Sequence, residues 1–74
     1  MGRLAGFKYK DVARKLRKLG FEFIRQAAGS HEIWRHPDSR RKVTISFHAR
    51  DIPEGTLRKI LREGQIDVDE FLNA

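Results

Sequence analysis

Seventy-four residues, with 16 Lys or Arg, 10 Asp or Glu and no cysteine, make one small domain (residues 1–74) with a single modest core, and exclude a disulfide staple and a thiolate metal site. No apolar run is long enough to span a bilayer, and the first residues lack the apolar core of a secretory signal, so the expectation is a soluble cytoplasmic protein with no membrane partner. The charge is uneven: residues 1–50 hold 13 basic against 4 acidic residues, net +9, while residues 51–74 hold 3 against 6, net −3. A basic surface of this size attracts polyanions, nucleic acid first among them, with plain solubility as the alternative use of the charge.

Residues 1–7 read as a loose lead-in. Tyr9 to Lys18 is predicted to be a helix, because Val12, Ala13, Leu16 and Leu19 recur at three- and four-residue spacing and share one face. Lys10, Arg14, Lys15, Arg17 and Lys18 are expected to cover the rest of it. Asp11 in the first turn and the basic residues in the last suit the helix dipole, and Gly20 is placed for a C-terminal cap.

A strand is predicted over Phe21 to Gln26, then a turn over Ala27 to Ser30 in which Gly29 is free to take a positive φ. His31 to His36 is the second strand, closed by the turn sequence Pro37-Asp38-Ser39. The third strand, Lys42 to His48, alternates most cleanly. Val43, Ile45 and Phe47 fall on one face, and Lys42, Thr44, Ser46 and His48 on the other, so the sheet is expected to be covered on one side only.

Pro53-Glu54-Gly55-Thr56 opens a second helix. Leu57, Ile60 and Leu61 form its buried stripe, Arg58, Lys59 and Arg62 face out, and Gly64 ends it. Asp67 to Glu70 carries the spacing of a capping box, which predicts a last short helical turn with Phe71 and Leu72 folded back on the core. The fold class is therefore α+β in the order α-β-β-β-α, with a three-stranded antiparallel sheet and both helices on its apolar face. Double-stranded-RNA-binding domains share that order, although order alone does not assign a function.

Three residues could carry proton chemistry: His31, His36 and His48. Their separations of five and twelve residues match no metal-ligand spacing, so no metal is expected. His31 follows Gly29-Ser30 in a turn and opens a strand, which would hold its ring in the sheet while leaving it reachable from solvent. Histidine is the natural general base or acid near neutral pH. RNA brings its own nucleophile, the ribose 2′-OH, so cleavage needs only a proton acceptor, stabilisation of phosphate charge and a way to hold the strand in line. The plain alternative is a half-exposed strand histidine with no role. Ser30 is adjacent to His31 and would point to the opposite face of an extended strand, so it reads as a turn residue or a phosphate hydrogen-bond donor rather than a nucleophile.

His48 ends the polar face of the third strand, either near the same surface or as a surface histidine, and is a candidate to protonate the leaving oxygen. His36, before Pro37, reads as structural or idle. Trp34 is the kind of side chain that stacks an unpaired base, but we place it in the core. Arg40, Arg41 and Lys42, with Lys10 and Arg14 of the first helix, are the candidate phosphate contacts. For each, a solvated turn or helix face is the alternative.

The run Leu19-Gly20-Phe21, Arg25-Gln26, Gly29-Ser30-His31 and Arg35-His36-Pro37-Asp38 resembles the HicA (YcfA-like) toxin family. The likeness continues through Val43-Thr44-Ile45, His48, Ile52-Pro53 and Gly55-Thr56-Leu57-Arg58-Lys59-Ile60-Leu61, and covers residues 8–72. The resemblance implies the double-stranded-RNA-binding-like fold and ribosome-independent cleavage of mRNA. It also implies a catalytic histidine at His31, a HicB-type antitoxin that covers the active surface, and no cofactor. Ala28 stands where many members carry a basic residue, and Ser46 where many carry proline. The alternatives to a ribonuclease toxin are a non-catalytic RNA-binding module of the same fold and a protein that serves only its antitoxin.

Overall fold

The computed structural model describes residues 2–46 and 51–74. Its elements run α1 (Tyr9–Lys18), β1 (Glu22–Ala27), β2 (His31–Arg35), β3 (Lys42–Ser46), α2 (Glu54–Glu63) and α3 (Val68–Leu72). The three strands form one antiparallel sheet in the order β1-β2-β3. This is the α+β, α-β-β-β-α arrangement that the pattern predicts. Phe47 and His48, expected in the third strand, lie outside the described residues.

The ends of α1 follow from its sequence. The Asp11 carboxylate accepts from the Lys8 N–H, tying down one of the donors that a helix start leaves without an intrahelical partner. At the other end Gly20, at φ 96°, sits in the left-handed region. The Gly20 N–H donates to the Arg17 carbonyl and the Phe21 N–H to the Leu16 carbonyl, the paired bonds of a Schellman cap. Phe21 is consequently buried at the helix end rather than opening β1.

The register decides which strand residues enter the core. Trp34 lies opposite Val43, and Glu32 opposite Ile45. Directly opposed residues share a face, and this face is buried: Trp34, Val43 and Ile45 are at most 1% exposed. Both long helices lie on it. The Tyr9 hydroxyl of α1 donates to Glu32, and the Arg17 guanidinium stands 5.0 Å from the Trp34 ring centroid. Val12, Ala13 and Leu16 of α1 and Leu57, Ile60 and Leu61 of α2 complete the core with Phe71 of α3. A fully buried side chain of this size contributes roughly 1.5–3 kcal/mol, so the stripes read from the sequence supply most of the packing.

Two features depart from expectation. Residues 2–7 are not a loose lead-in: Leu4 is fully buried, and the Phe7 ring meets Phe71 edge-on at 5.3 Å. The Phe7 carbonyl accepts from the Ile52 N–H, and Lys8 bridges to Asp51. Isolated apolar residues have no period, and only the tertiary packing shows that they close the end of the core.

Lys15, expected on a solvated face, is only 9% exposed. Its Nζ donates to the carbonyls of Leu72 and Ala74 at 3.2 and 2.9 Å, because the folded-back α3 turns carbonyls at its C-terminus toward it. Gly64 ends α2 as predicted, without a positive φ. A Cβ there would stand 2.7 Å from Val43 Cγ1, so the glycine serves close packing against β3, and Gln65 takes the left-handed conformation at φ 54°.

β1 is the weakly covered part of the sheet. Phe23 and Ile24 are 48% and 45% exposed, and the pairing with β2 slips by one residue between Phe23 and Arg25. The extra residue is Ile24, a bulge that places it with Arg25 opposite Ile33 on the open face. No helix of the described residues is long and apolar enough to cross a membrane. Asp67 caps α3 as predicted, accepting from the N–H groups of Asp69 and Glu70.

Candidate functional site

The β1–β2 hairpin closes through residues 28–30, since Ala27 pairs with His31. Gly29 and Ser30 both have positive φ, 71° and 63°. Two left-handed residues in succession turn the chain tightly and bring the Ala28 carbonyl to 2.9 Å from His31 Nδ1. A carbonyl can only accept, so Nδ1 carries the proton in this contact. Nε2 is then the basic nitrogen of the neutral ring.

His31 is exposed and pairs with Ser46. Strand alternation puts it on the face opposite Glu32 and Trp34, so His31, Ile33 and Arg35 share the open face. Thr44 and Ser46 lie on the same face of β3, which is a sheet edge. There the surface continues onto α2. His31, Thr44, Ser46, Thr56, Lys59, Ile60 and Glu63 line a shallow cavity of about 180 Å³. Thr56, Lys59 and Glu63 follow the three- and four-residue spacing that aligns one helix face, next to the buried stripe of Leu57, Ile60 and Leu61.

Of the residues singled out from the sequence, Gly29, Ser30 and His31 come together in and beside the hairpin loop. The other described ones do not join them. Lys42 pairs with Arg35, four residues along β3 from Ser46, a separation of roughly 13 Å. Arg40 is exposed in the turn at φ 62°. Arg41 is engaged in the fold: its Nη1 donates to the Gly64 and Gln65 carbonyls at 3.0 and 2.8 Å, and its guanidinium lies 5.9 Å from the Phe21 ring centroid. Lys10 and Arg14 are exposed on α1, in the layer that covers the opposite face of the sheet. His48 lies outside the described residues. His36 packs edge-on against Phe21 at 5.3 Å and its Nδ1 accepts from the Ser39 N–H, a structural role as read from the sequence.

Thr44, Thr56, Lys59 and Glu63 were not singled out. The signal of the last three was the polar stripe on α2, which looks like any solvated helix face until β3 is set beside it.

On the covered face the polar groups are satisfied internally. Glu32 Oε1 accepts from Tyr9 Oη at 2.6 Å and from Trp34 Nε1 at 3.1 Å. Burial, reinforced by the hydrogen bond to Glu32 and the charge on that carboxylate, pushes the Tyr9 phenol up to about 12. Tyr9 therefore stays neutral and donates at every physiological pH.

A family model described as the HicA toxin of bacterial toxin–antitoxin systems matches residues 9–66. No curated protein matches the chain.

Proposed function

Since the chain belongs to the HicA toxin family of bacterial toxin–antitoxin systems, we propose that it is the toxin that cleaves mRNA in the cytoplasm without the ribosome, with His31 as general base. His31 Nε2 takes the proton from a ribose 2′-OH. The 2′ oxygen attacks the adjacent phosphorus, and the bond from phosphorus to the 5′ oxygen breaks. The products are a 2′,3′-cyclic phosphate and a 5′-hydroxyl end, the leaving oxygen taking its proton from solvent or a neighbouring acid. His31 then returns its proton to solvent.

The observation that carries this reading is the contact between His31 Nδ1 and the Ala28 carbonyl. It fixes the tautomer and the ring direction on an exposed face, as a general base requires. Gly29 and Ser30 support it twice over, by shaping the loop and by offering backbone N–H groups and a hydroxyl to the phosphate. Arg40, Lys42, Lys10 and Arg14 contribute salt-sensitive attraction for the RNA backbone at a distance from the chemistry. The toxin's partner is an antitoxin. We assign it to the HicB type, covering the open face on which His31, the bulged Ile24 and the half-buried Ile33 lie.

The test is incubation with a labelled single-stranded RNA beside the same sequence as DNA and a folded His31→Ala variant. Wild-type cleavage of RNA alone, ending in a cyclic phosphate, with none by the variant, is the expected result. Equal cutting of DNA would overturn the 2′-OH chemistry, and binding without cleavage would leave an RNA-binding module.

A further inference from the structure

The cavity beside His31 contains a second group suited to phosphate. We propose that Lys59 is a further catalytic residue, an ammonium that binds the non-bridging oxygens of the scissile phosphodiester from α2 while His31 acts from β2. This rests on the ribonuclease reading above and adds the residue that answers the developing phosphate charge.

Six cations of this fold are already committed. Lys15 holds carbonyls after α3, Arg41 those that end α2, and Arg17 lies over Trp34. Arg58 pairs with Glu54, Lys8 with Asp51 and Arg3 with Asp69. Lys59 differs. It is exposed, it lines the His31 cavity, and among the described residues it makes no ion pair, even though Glu63 stands one turn further along α2.

The cavity's composition fits a phosphodiester. The hydroxyl-bearing residues Thr44, Ser46 and Thr56 line it, and among the described residues Lys59 is its one permanent cation. Glu63 is the opposing charge at the far end. Thr56 and Glu63 are seven residues apart, about 10 Å along the helix axis, with Lys59 between them. Repulsion from Glu63 therefore confines the phosphate to the Thr56 and Lys59 end. A transferring phosphoryl group gains negative charge in reaching its transition state, and a cation positioned for it lowers that barrier more than it strengthens ground-state binding.

The experiment uses the full chain with Lys59→Met, Lys59→Arg and Arg62→Met, the last an equal charge loss on the same helix outside the cavity. In RNA cleavage, Lys59→Met is expected to lower kcat about 100-fold with KM little changed, Lys59→Arg to recover most of it, and Arg62→Met to stay near wild type, all three melting as the parent does. Full activity in Lys59→Met, or equal losses in Lys59→Met and Arg62→Met, overturns the proposal and leaves His31 untouched.

A binding measurement separates the two readings. Titration with a nucleoside 3′-monophosphate, followed by NMR, should shift the His31 ring and Lys59 side-chain signals together, and Lys59→Met should weaken that probe about tenfold. Absence of both shifts overturns the Lys59 assignment even in a protein that cuts RNA. Both shifts in a protein that cuts nothing keep the phosphate site and dismiss the ribonuclease.

Discussion

His31 and Glu32 are neighbours in the chain and opposites in the structure. Glu32 is 7% exposed and accepts two hydrogen bonds from aromatic partners in the covered layer. His31 is exposed, held by a single loop carbonyl, and shares an open cavity with α2. The pleat of one strand thus assigns alternate residues to two tasks, with Glu32 and Trp34 fixing the helices and His31 presenting a basic nitrogen. The division also explains why the hairpin matters. Without the turn at Gly29 and Ser30, His31 would be one more solvated strand residue.

The largest expected effect comes from the covered side. Trp34 is fully buried beneath α1, and Trp34→Ala removes both its packing and a donor to Glu32. The loss should be about 3–5 kcal/mol, a large part of the roughly 5–15 kcal/mol that holds a domain together. Denaturant unfolding checks it, and a loss below about 1 kcal/mol would mean that the two faces do not divide the work in this way.

The counterpart on the open side is His31→Ala. Here stability should move by no more than about 0.5 kcal/mol, while RNA cleavage falls by roughly 100- to 10,000-fold. A variant that melted like Trp34→Ala would collapse the distinction, because the residue would then be structural.

The periodic parts of this fold were legible in the sequence and the tertiary parts were not. The stripe of Val12, Ala13 and Leu16, the alternation of Val43 and Ile45, the cap at Gly20 and the Asp67 cap each follow from local rules, and each appears in place. Leu4 and Phe7 have no periodic neighbours, so the burial of Leu4 and the packing of Phe7 on Phe71 came only with the tertiary structure. Lys15 and Arg41 looked like solvated charge, because the helix ends they serve lie 57 and 23 residues away.

At the candidate site, His31 was visible through its glycine-containing turn. The proposed role of Lys59 was hidden by the ambiguity of any polar stripe, and Arg40 and Lys42 lie at the other end of the sheet. Net charge suggests polyanions as partners without pointing to any one residue.

The Tyr9–Glu32 contact sharpens the comparison through pH. Tyr9→Phe deletes one donor to a buried carboxylate and should cost about 1 kcal/mol. The wild-type phenol titrates near 12 in the folded chain against about 10 when unfolded. The raised value means that the folded state holds the proton more tightly. The contribution is complete below pH 10 and fades as pH rises toward 12, so the difference in unfolding midpoint between wild type and variant should narrow across that window. A gap independent of pH there would place the phenol outside the buried network.

The smallest effect lies in β1, where two exposed apolar residues have different reasons to be there. Phe23 lies opposite Trp34, its ring 6.0 Å away and edge-on. An aromatic pair of this kind contributes roughly 0.5–1.5 kcal/mol, which Phe23→Ala should forfeit. Ile24 is the bulged residue, on the open side and nearly half exposed, and Ile24→Ser should change stability by less than about 0.5 kcal/mol. If Ile24→Ser leaves the melting curve alone but weakens the complex with the antitoxin, its exposure serves the partner. If the complex is indifferent and stability falls, the bulge packs the sheet, and the open face ends at Ile33.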